Sequence, residues 1–170
     1  FDHGRLNIEG SFDNTVIIEG DRLEPDYNDV PGQWGGIRIF KNSKGNTINN
    51  AKIRNAIVGI SIDSAATLTI QNSSIENAAA YGLYSSHSEV EGNNLLIFGS
   101  GSHSVALTYG GSYNFNYCTF YSDLNEDESV LINNYLCLDD LCSSFDPFPV
   151  DVAFTNCILA GGSEDELALN

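Results

Sequence analysis

Pro31-Gly-Gln-Trp-Gly-Gly-Ile-Arg-Ile-Phe40 (PGQWGGIRIF) is the stretch from which the fold is read. It places the single tryptophan of the chain before two glycines, and an alternating apolar run follows. Paired glycines are poor helix material, because each gives up much backbone entropy. They suit a tight corner or a close backbone approach. Ile37-Arg38-Ile39 alternates as a half-buried strand does. The stretch therefore reads as a corner that opens a strand.

The same unit returns. Gly36-Ile37-Arg38-Ile39 recurs as Gly59-Ile60-Ser61-Ile62 and as Gly82-Leu83-Tyr84-Ser85, with the glycines 23 residues apart. Ser104-Val105-Ala106-Leu107 follows one period later. Ile53, Ile75 and Ile97 are spaced by 22, with Phe120 after a further 23. Asn50, Asn72, Asn94 and Asn116 are also spaced by 22. Three series in one phase define a repeat. The units carry short β-branched runs broken by Asn, Ser and Gly, and no long 3.6-period segments. They predict an all-β chain, a right-handed parallel β-helix (solenoid) of about six coils. Coils stack at about 4.8 Å, so Ile53, Ile75 and Ile97 should form an inward column. The asparagines should form a corner ladder, because Asn tolerates left-handed geometry.

The organisation expected is one domain over 1–170. Residues 1–30 form an irregular first coil or cap, 31–132 regular coils, 133–150 an inserted loop and 151–170 a last coil. The insertion is inferred because Val152-Ala-Phe-Thr-Asn-Cys157 resembles Tyr113-Asn-Phe-Asn-Tyr-Cys118 at an offset of 39. Cys118 and Cys157 then fall at equivalent positions in adjacent coils as small core residues. The sequence reads as a trimmed piece whose ends stack on further coils or another protein.

With 170 residues, 42% apolar and 18% charged, the composition is that of a chain with a core, not a disordered one. No apolar run reaches the roughly 18 residues of a membrane span. The charge is uneven. All seven basic residues (Arg5, Arg22, Arg38, Lys41, Lys44, Lys52 and Arg54) lie in the first 54 positions, beside eight of the 23 acids. The remaining fifteen acids lie between 55 and 170, with no Lys or Arg. Such a surface repels phosphate backbones and anionic membranes, which excludes nucleic acid as a partner. Cations and neutral ligands such as sugars are compatible with it.

Gly20-Asp-Arg22-Leu, the PGQWGGI segment, Ala56-Ile-Val-Gly59-Ile, Gly82-Leu and Gly110-Gly-Ser-Tyr113-Asn-Phe115 with Cys118-Thr119 together resemble an exported right-handed β-helix family of the Bacteroidota. Its members are described as predicted surface lipoproteins. The resemblance spans most of residues 5–170 and implies an extracellular or outer-membrane-surface location. It carries no activity to transfer. A histidine often precedes the cysteine in that family; Tyr117 stands there in this chain.

Several residues are candidates for binding. Tyr81, Tyr84, Tyr109 and Tyr113 crowd coils three and four, and outward they would form a strip for stacking sugar rings. Trp34 is either a further ligand platform or packing at the head of its coil. Asp123, Asn125 and Asp127 offer oxygens at alternate positions, as calcium loops do, but lack the central glycine and distal glutamate. Calcium is the one cofactor considered, against a solvated acidic turn. Asp26-Tyr-Asn28-Asp29 is a weaker case of the same kind. Cys137 and Cys142 close a short acidic loop, consistent with a disulfide in an exported protein. Zinc would need further ligands at suitable spacing.

Catalysis has less support. A uronate lyase needs a positioned base, usually Lys or Arg. Only Arg38 and Arg54 could serve from within coils. A hydrolase needs acids on adjacent coils, and Asp139-Asp140 lie in the cysteine loop. His87 and His103 read as turn residues. The expected function is a non-catalytic extracellular or cell-surface module that binds glycan or another surface protein. A polysaccharide-degrading enzyme and a structural spacer stand as alternatives.

Overall fold

The structure is a computed structural model that describes residues 4–22, 24–122 and 127–170. Its strands wind into a right-handed parallel β-helix with three faces, six rungs deep among the described residues. Coil one holds β1 (Asn7–Glu9), β2 (Val16–Ile18) and β3 (Ile37–Ile39), one strand on each face. Coil two holds β4 (Asn46–Asn49), β5 (Ala51–Arg54) and β6 (Val58–Ile62). β7 (Thr67–Glu76) bends across two faces of coil three. β8 (Tyr81–Phe98) closes coil three and continues over two faces of coil four, and β9 (Val105–Asn116) closes coil four and opens coil five. β10 (Thr119–Ser122) and β11 (Val130–Ile132) finish coil five. An antiparallel hairpin, β12 (Tyr135–Cys137) and β13 (Phe145–Pro147), precedes coil six: β14 (Val150–Thr155), β15 (Ile158–Gly161) and β16 (Leu167–Leu169). Among the described residues, no helix is long and apolar enough to cross a membrane.

The registers follow the repeat. Ile53 pairs with Ile75, Ile75 with Ile97, and Ile97 with Phe120. All four are essentially buried. On the first face, Ile48, Ile70, Gly92, Phe115 and Phe154 succeed one another inward. The missing side chain at Gly92 makes room for Phe115, whose ring would lie 2.6 Å from a Cβ there. Phe115 then stacks on Phe154 (5.6 Å, 11°) and meets Phe120 edge-on (5.2 Å, 86°). Aromatic pairs of this geometry add to simple area burial.

The corners sharpen the sequence reading and correct it in places. Asn50, Asn72 and Asn94 all hold φ near +50°. Asn94 Nδ2 donates to Asn72 Oδ1 (3.0 Å), and Asn72 Nδ2 donates to Asn49 Oδ1 (3.2 Å). Asn116 is not part of this ladder. It pairs with Asn93, and Tyr117 (φ +53°) takes the corner. The chain gains one residue at the preceding corner, where the register slips between Ser86 and Ser88, so the next corner moves along by one. A second corner holds Asn55 and Asn77, whose side chains bond at 2.8 Å. A third holds Asn42, Ala65, His87 and Tyr109, all at positive φ and again 22 to 23 apart.

In the region read as an irregular first coil or cap, β1 and β2 pair in parallel register with β4 and β5, and a 3-10 turn stands at Pro25–Tyr27 between β2 and β3. One other expectation changes. The glycine series was expected to mark corners, but only Gly36 of that series has positive φ (+98°). Gly59 and Gly82 lie inside strands, where a Cβ would meet a methyl of Ile75 and of Ile97 at 2.3 and 2.2 Å. Their role is close approach.

Candidate functional site

Alternation along the first face decides what reaches solvent. With Val90, Tyr113 and Phe115 inward, the residues between them point out. Three outward rows result: Thr67, Glu89, Ser112 and Asp151; Thr69, Glu91, Asn114 and Ala153; Gln71, Asn93, Asn116 and Thr155. All of these but Thr67 and Thr155 line three adjoining depressions of about 490, 230 and 230 Å³. Neighbouring depressions share Glu89, Ser112 and Asp151, then Glu91 and Asn114, so the groove is continuous over coils three to six. Asn116 Oδ1 is buried and has no hydrogen-bond partner. Ser100 Oγ is in the same condition away from the groove.

One end of the groove is shaped by the third corner. His87 Nδ1 donates to the Tyr109 carbonyl (2.9 Å). The His87 ring meets Phe148 edge-on at 5.6 Å. Lys44 also lines this end. Three further cations are engaged elsewhere. Arg38 pairs with Asp63 (3.2 Å), Lys52 with Glu76 (3.0 Å), and Arg54 with Glu19. The basic groups that a lyase would draw on from Arg38 and Arg54 are thus held in ion pairs away from the groove.

The structure separates the residues singled out from the sequence. Tyr81 and Tyr84 lie on the third face with their rings 5.5 Å apart, and Tyr81 stacks on His103 (6.0 Å, 17°). Thr108 Oγ1 donates to the Tyr84 hydroxyl at 3.2 Å. Tyr109 sits at the corner that follows this face. Tyr113, expected outward with them, is only 2% exposed and lies in the core. Its position two residues before Phe115 puts both rings on the inward side of the strand. Its hydroxyl donates to the Gly110 carbonyl (2.9 Å) and accepts from Ser85 Oγ (3.3 Å). Burial pushes its phenol above the usual value. Trp34 is half-buried against the core, and its Nε1 donates to the Arg54 carbonyl (2.8 Å). It belongs to the first coils, apart from the tyrosines of coils three to five.

Asp123 and Asn125 lie outside the described residues. Asp127 Oδ2 accepts from Ser102 Oγ at 2.9 Å. Asp26 belongs to the 3-10 turn. Among the described residues, no group of three or more His, Cys, Asp or Glu could hold a metal ion. Cys118 is buried, with its thiol pushed up to about 11 by desolvation, and Cys157 Sγ stands 3.4 Å from the Cys118 amide.

Cys137 and Cys142 form a disulfide (S–S 2.03 Å) at the tip of the hairpin. Within and just beyond the loop they close, Asp139 accepts from the amides of Leu141 (3.0 Å), Ser143 (2.9 Å) and Ser144 (2.8 Å), and from Ser143 Oγ (2.8 Å). Bonds from Ser143, Ser144 and Leu141 hold its carboxyl below the ordinary aspartate value. A depressed pKa contributes order that is complete above the unfolded value of about 3.9 and is lost as pH falls through the folded one. Acidification below about pH 4 should therefore lower the protection of the Ser143 and Ser144 amides, taken as exchange relative to the intrinsic rate at each pH, before that of the coils. Protection at these two amides that stays unchanged on acidification, read by NMR, would contradict the assignment. The hairpin returns to the solenoid over Gly110 and Gly111. A Cβ on Gly110 would meet the Pro149 carbonyl at 2.4 Å, which explains the glycine pair there.

Sequence reasoning missed the groove because it selected residues by type. The usable signal was the alternation Tyr113-Asn-Phe115-Asn, which names the outward set directly.

The model of the right handed beta helix region matches residues 5–120. No curated protein and no solved structure matches the chain. A match over more than half of the chain, together with the parallel three-faced winding, makes this chain a member of the right-handed β-helix family.

Proposed function

We propose that this chain is a non-catalytic, exported binding module whose first face takes a neutral glycan. The observation that carries the reading is the continuous groove lined by Thr69, Gln71, Asn93, Ser112, Asn114 and Asn116. Amides and hydroxyls on a rigid sheet can each meet a sugar hydroxyl at little ordering cost. Glu89, Glu91 and Asp151 accept hydroxyl donors as well, and they repel uronate chains. A polysaccharide laid along the axis would meet an equivalent outward row at each coil, about every 4.8 Å. Export is supported by the Cys137–Cys142 disulfide, which belongs to oxidising compartments. It is also supported by the resemblance to exported Bacteroidota proteins.

The test is a panel of neutral and uronic oligosaccharides titrated by calorimetry, with the products of long incubations separated by chromatography. Neutral chains should bind saturably without turnover. The triple variant Gln71→Ala/Asn93→Ala/Asn114→Ala should weaken binding about 100-fold, at roughly 1 kcal/mol for each hydrogen bond removed. Tyr84→Ala on the other face should leave it unchanged. Binding indifferent to the triple variant, or cleaved product, would overturn the reading.

A further inference from the structure

The hairpin creates a second concavity, on a different face from the groove. Thr108, Tyr109, Leu131, Asn133, Tyr135 and Leu136, with Cys137 at the rim, enclose about 340 Å³ between coils four and five and β12. Both tyrosines are braced from the hairpin side. Tyr109 meets Phe148 edge-on at 6.5 Å, and Tyr135 meets Phe145 at 5.6 Å. Tyr109 sits at φ +58°, the corner position that His87 and Ala65 hold in the preceding coils, so the winding itself fixes where its ring emerges. Asn133 Oδ1 is already occupied by the Tyr135 amide (3.0 Å), and Thr108 Oγ1 donates to Ser85 O (3.1 Å) or the Tyr84 hydroxyl. The free wall is therefore mainly aromatic rings and leucine methyls.

The charge around it is one-sided. Residues 55–170 contain fifteen acids and no Lys or Arg. The hairpin itself carries Asp139 and Asp140 in its tip and Asp146 opposite Leu136. Aromatic faces attract cations through their quadrupole, and an acidic surround raises the local concentration of cations. A small metal ion would favour carboxylate ligands, and the lining of this pocket supplies none. A cation wrapped in methyl groups fits both the rings and the leucines.

We propose that this pocket binds a small organic cation of the quaternary-ammonium type. The disulfide holds β12 in place as its outer wall, and the site is independent of the groove on the first face. Calorimetry at constant ionic strength tests it, with choline chloride titrated against its neutral carbon isostere, in which carbon replaces the quaternary nitrogen. Choline should bind saturably in the millimolar range or better, and about tenfold more tightly than the isostere. Tyr135→Ala should abolish the preference, and Leu136→Ala should weaken it. Both residues lie outside the coil ladders, so unchanged thermal unfolding will establish that the variants are folded. The groove triple variant should bind choline normally. Equal affinity for the isostere, equal affinity for methyl glucoside, no saturation, or indifference to Tyr135→Ala would each overturn the proposal.

Discussion

Gly36→Ala is expected to destabilise the first two coils by about 3 kcal/mol or more, while Gly35→Ala one residue earlier changes stability by less than about 1 kcal/mol. The pair is a matched control, with the same chemistry in the same loop. At Gly36 a Cβ would lie 1.6 Å from the Val58 carbonyl oxygen, and φ is +98°. That contact is with backbone of the next coil and cannot be relieved by a rotamer change. At Gly35 nothing lies within 4 Å of the added carbon. Since 1 kcal/mol moves the midpoint of a chain of this size by about 2–4 °C, the Gly36 variant should melt roughly 6–12 °C lower. In a solenoid each coil touches only its neighbours, so the loss should be local at first. Amide exchange at Ile37–Ile39 should accelerate before exchange at the Ile75 and Ile97 rungs. Equal melting shifts for the two variants would refute the close-approach reading of PGQWGGIRIF.

Tyr113→Ala should lower stability by about 3–5 kcal/mol, the range for emptying a large aromatic site in a core. Tyr113→Phe should cost about 1–3 kcal/mol, because it removes the donor to the buried Gly110 carbonyl, while the Ser85 hydroxyl keeps its bond to Ser88 Oγ. Neither Tyr113→Phe nor Tyr84→Ala should alter glycan binding in the groove. The phenol makes a second, pH-dependent demand. Its folded pKa is raised, so its contribution is complete below the unfolded value of about 10 and is lost as pH rises through the folded one. Alkaline titration followed by tyrosine absorbance should show one phenol ionising late, together with unfolding, and that phase should vanish in Tyr113→Phe. Urea unfolding of Tyr113→Ala at wild-type stability would place the ring outside after all.

What the sequence determined by itself is whatever depends on period. A 22–23-residue repeat of short apolar runs admits few solutions, so the solenoid and the Ile53–Ile75–Ile97–Phe120 column were legible. The offset of 39 between Val152 and Tyr113 is also the register in which β14 lies on β9. Cys137 and Cys142, separated by 5, are bonded at the tip of the hairpin.

What only the tertiary structure decided depends on phase and on neighbours. One residue more in the winding moved the corner from Asn116 to Tyr117, and no repeat count predicts on which side of a corner an extra residue will fall. The third corner ladder stayed hidden because Ala65, His87 and Tyr109 share a backbone conformation but no chemistry. The tyrosines divided between core and surface because side chains alternate along a strand, whatever their type. The groove and the hairpin pocket had no signal in any single segment. The groove joins Glu89 to Ser112 and Asp151 across three coils. In the pocket, Tyr135 reaches the Tyr109 corner only because the hairpin folds back over Gly110 and Gly111. Walls contributed by residues 22 to 39 positions apart exist only once the coils have stacked.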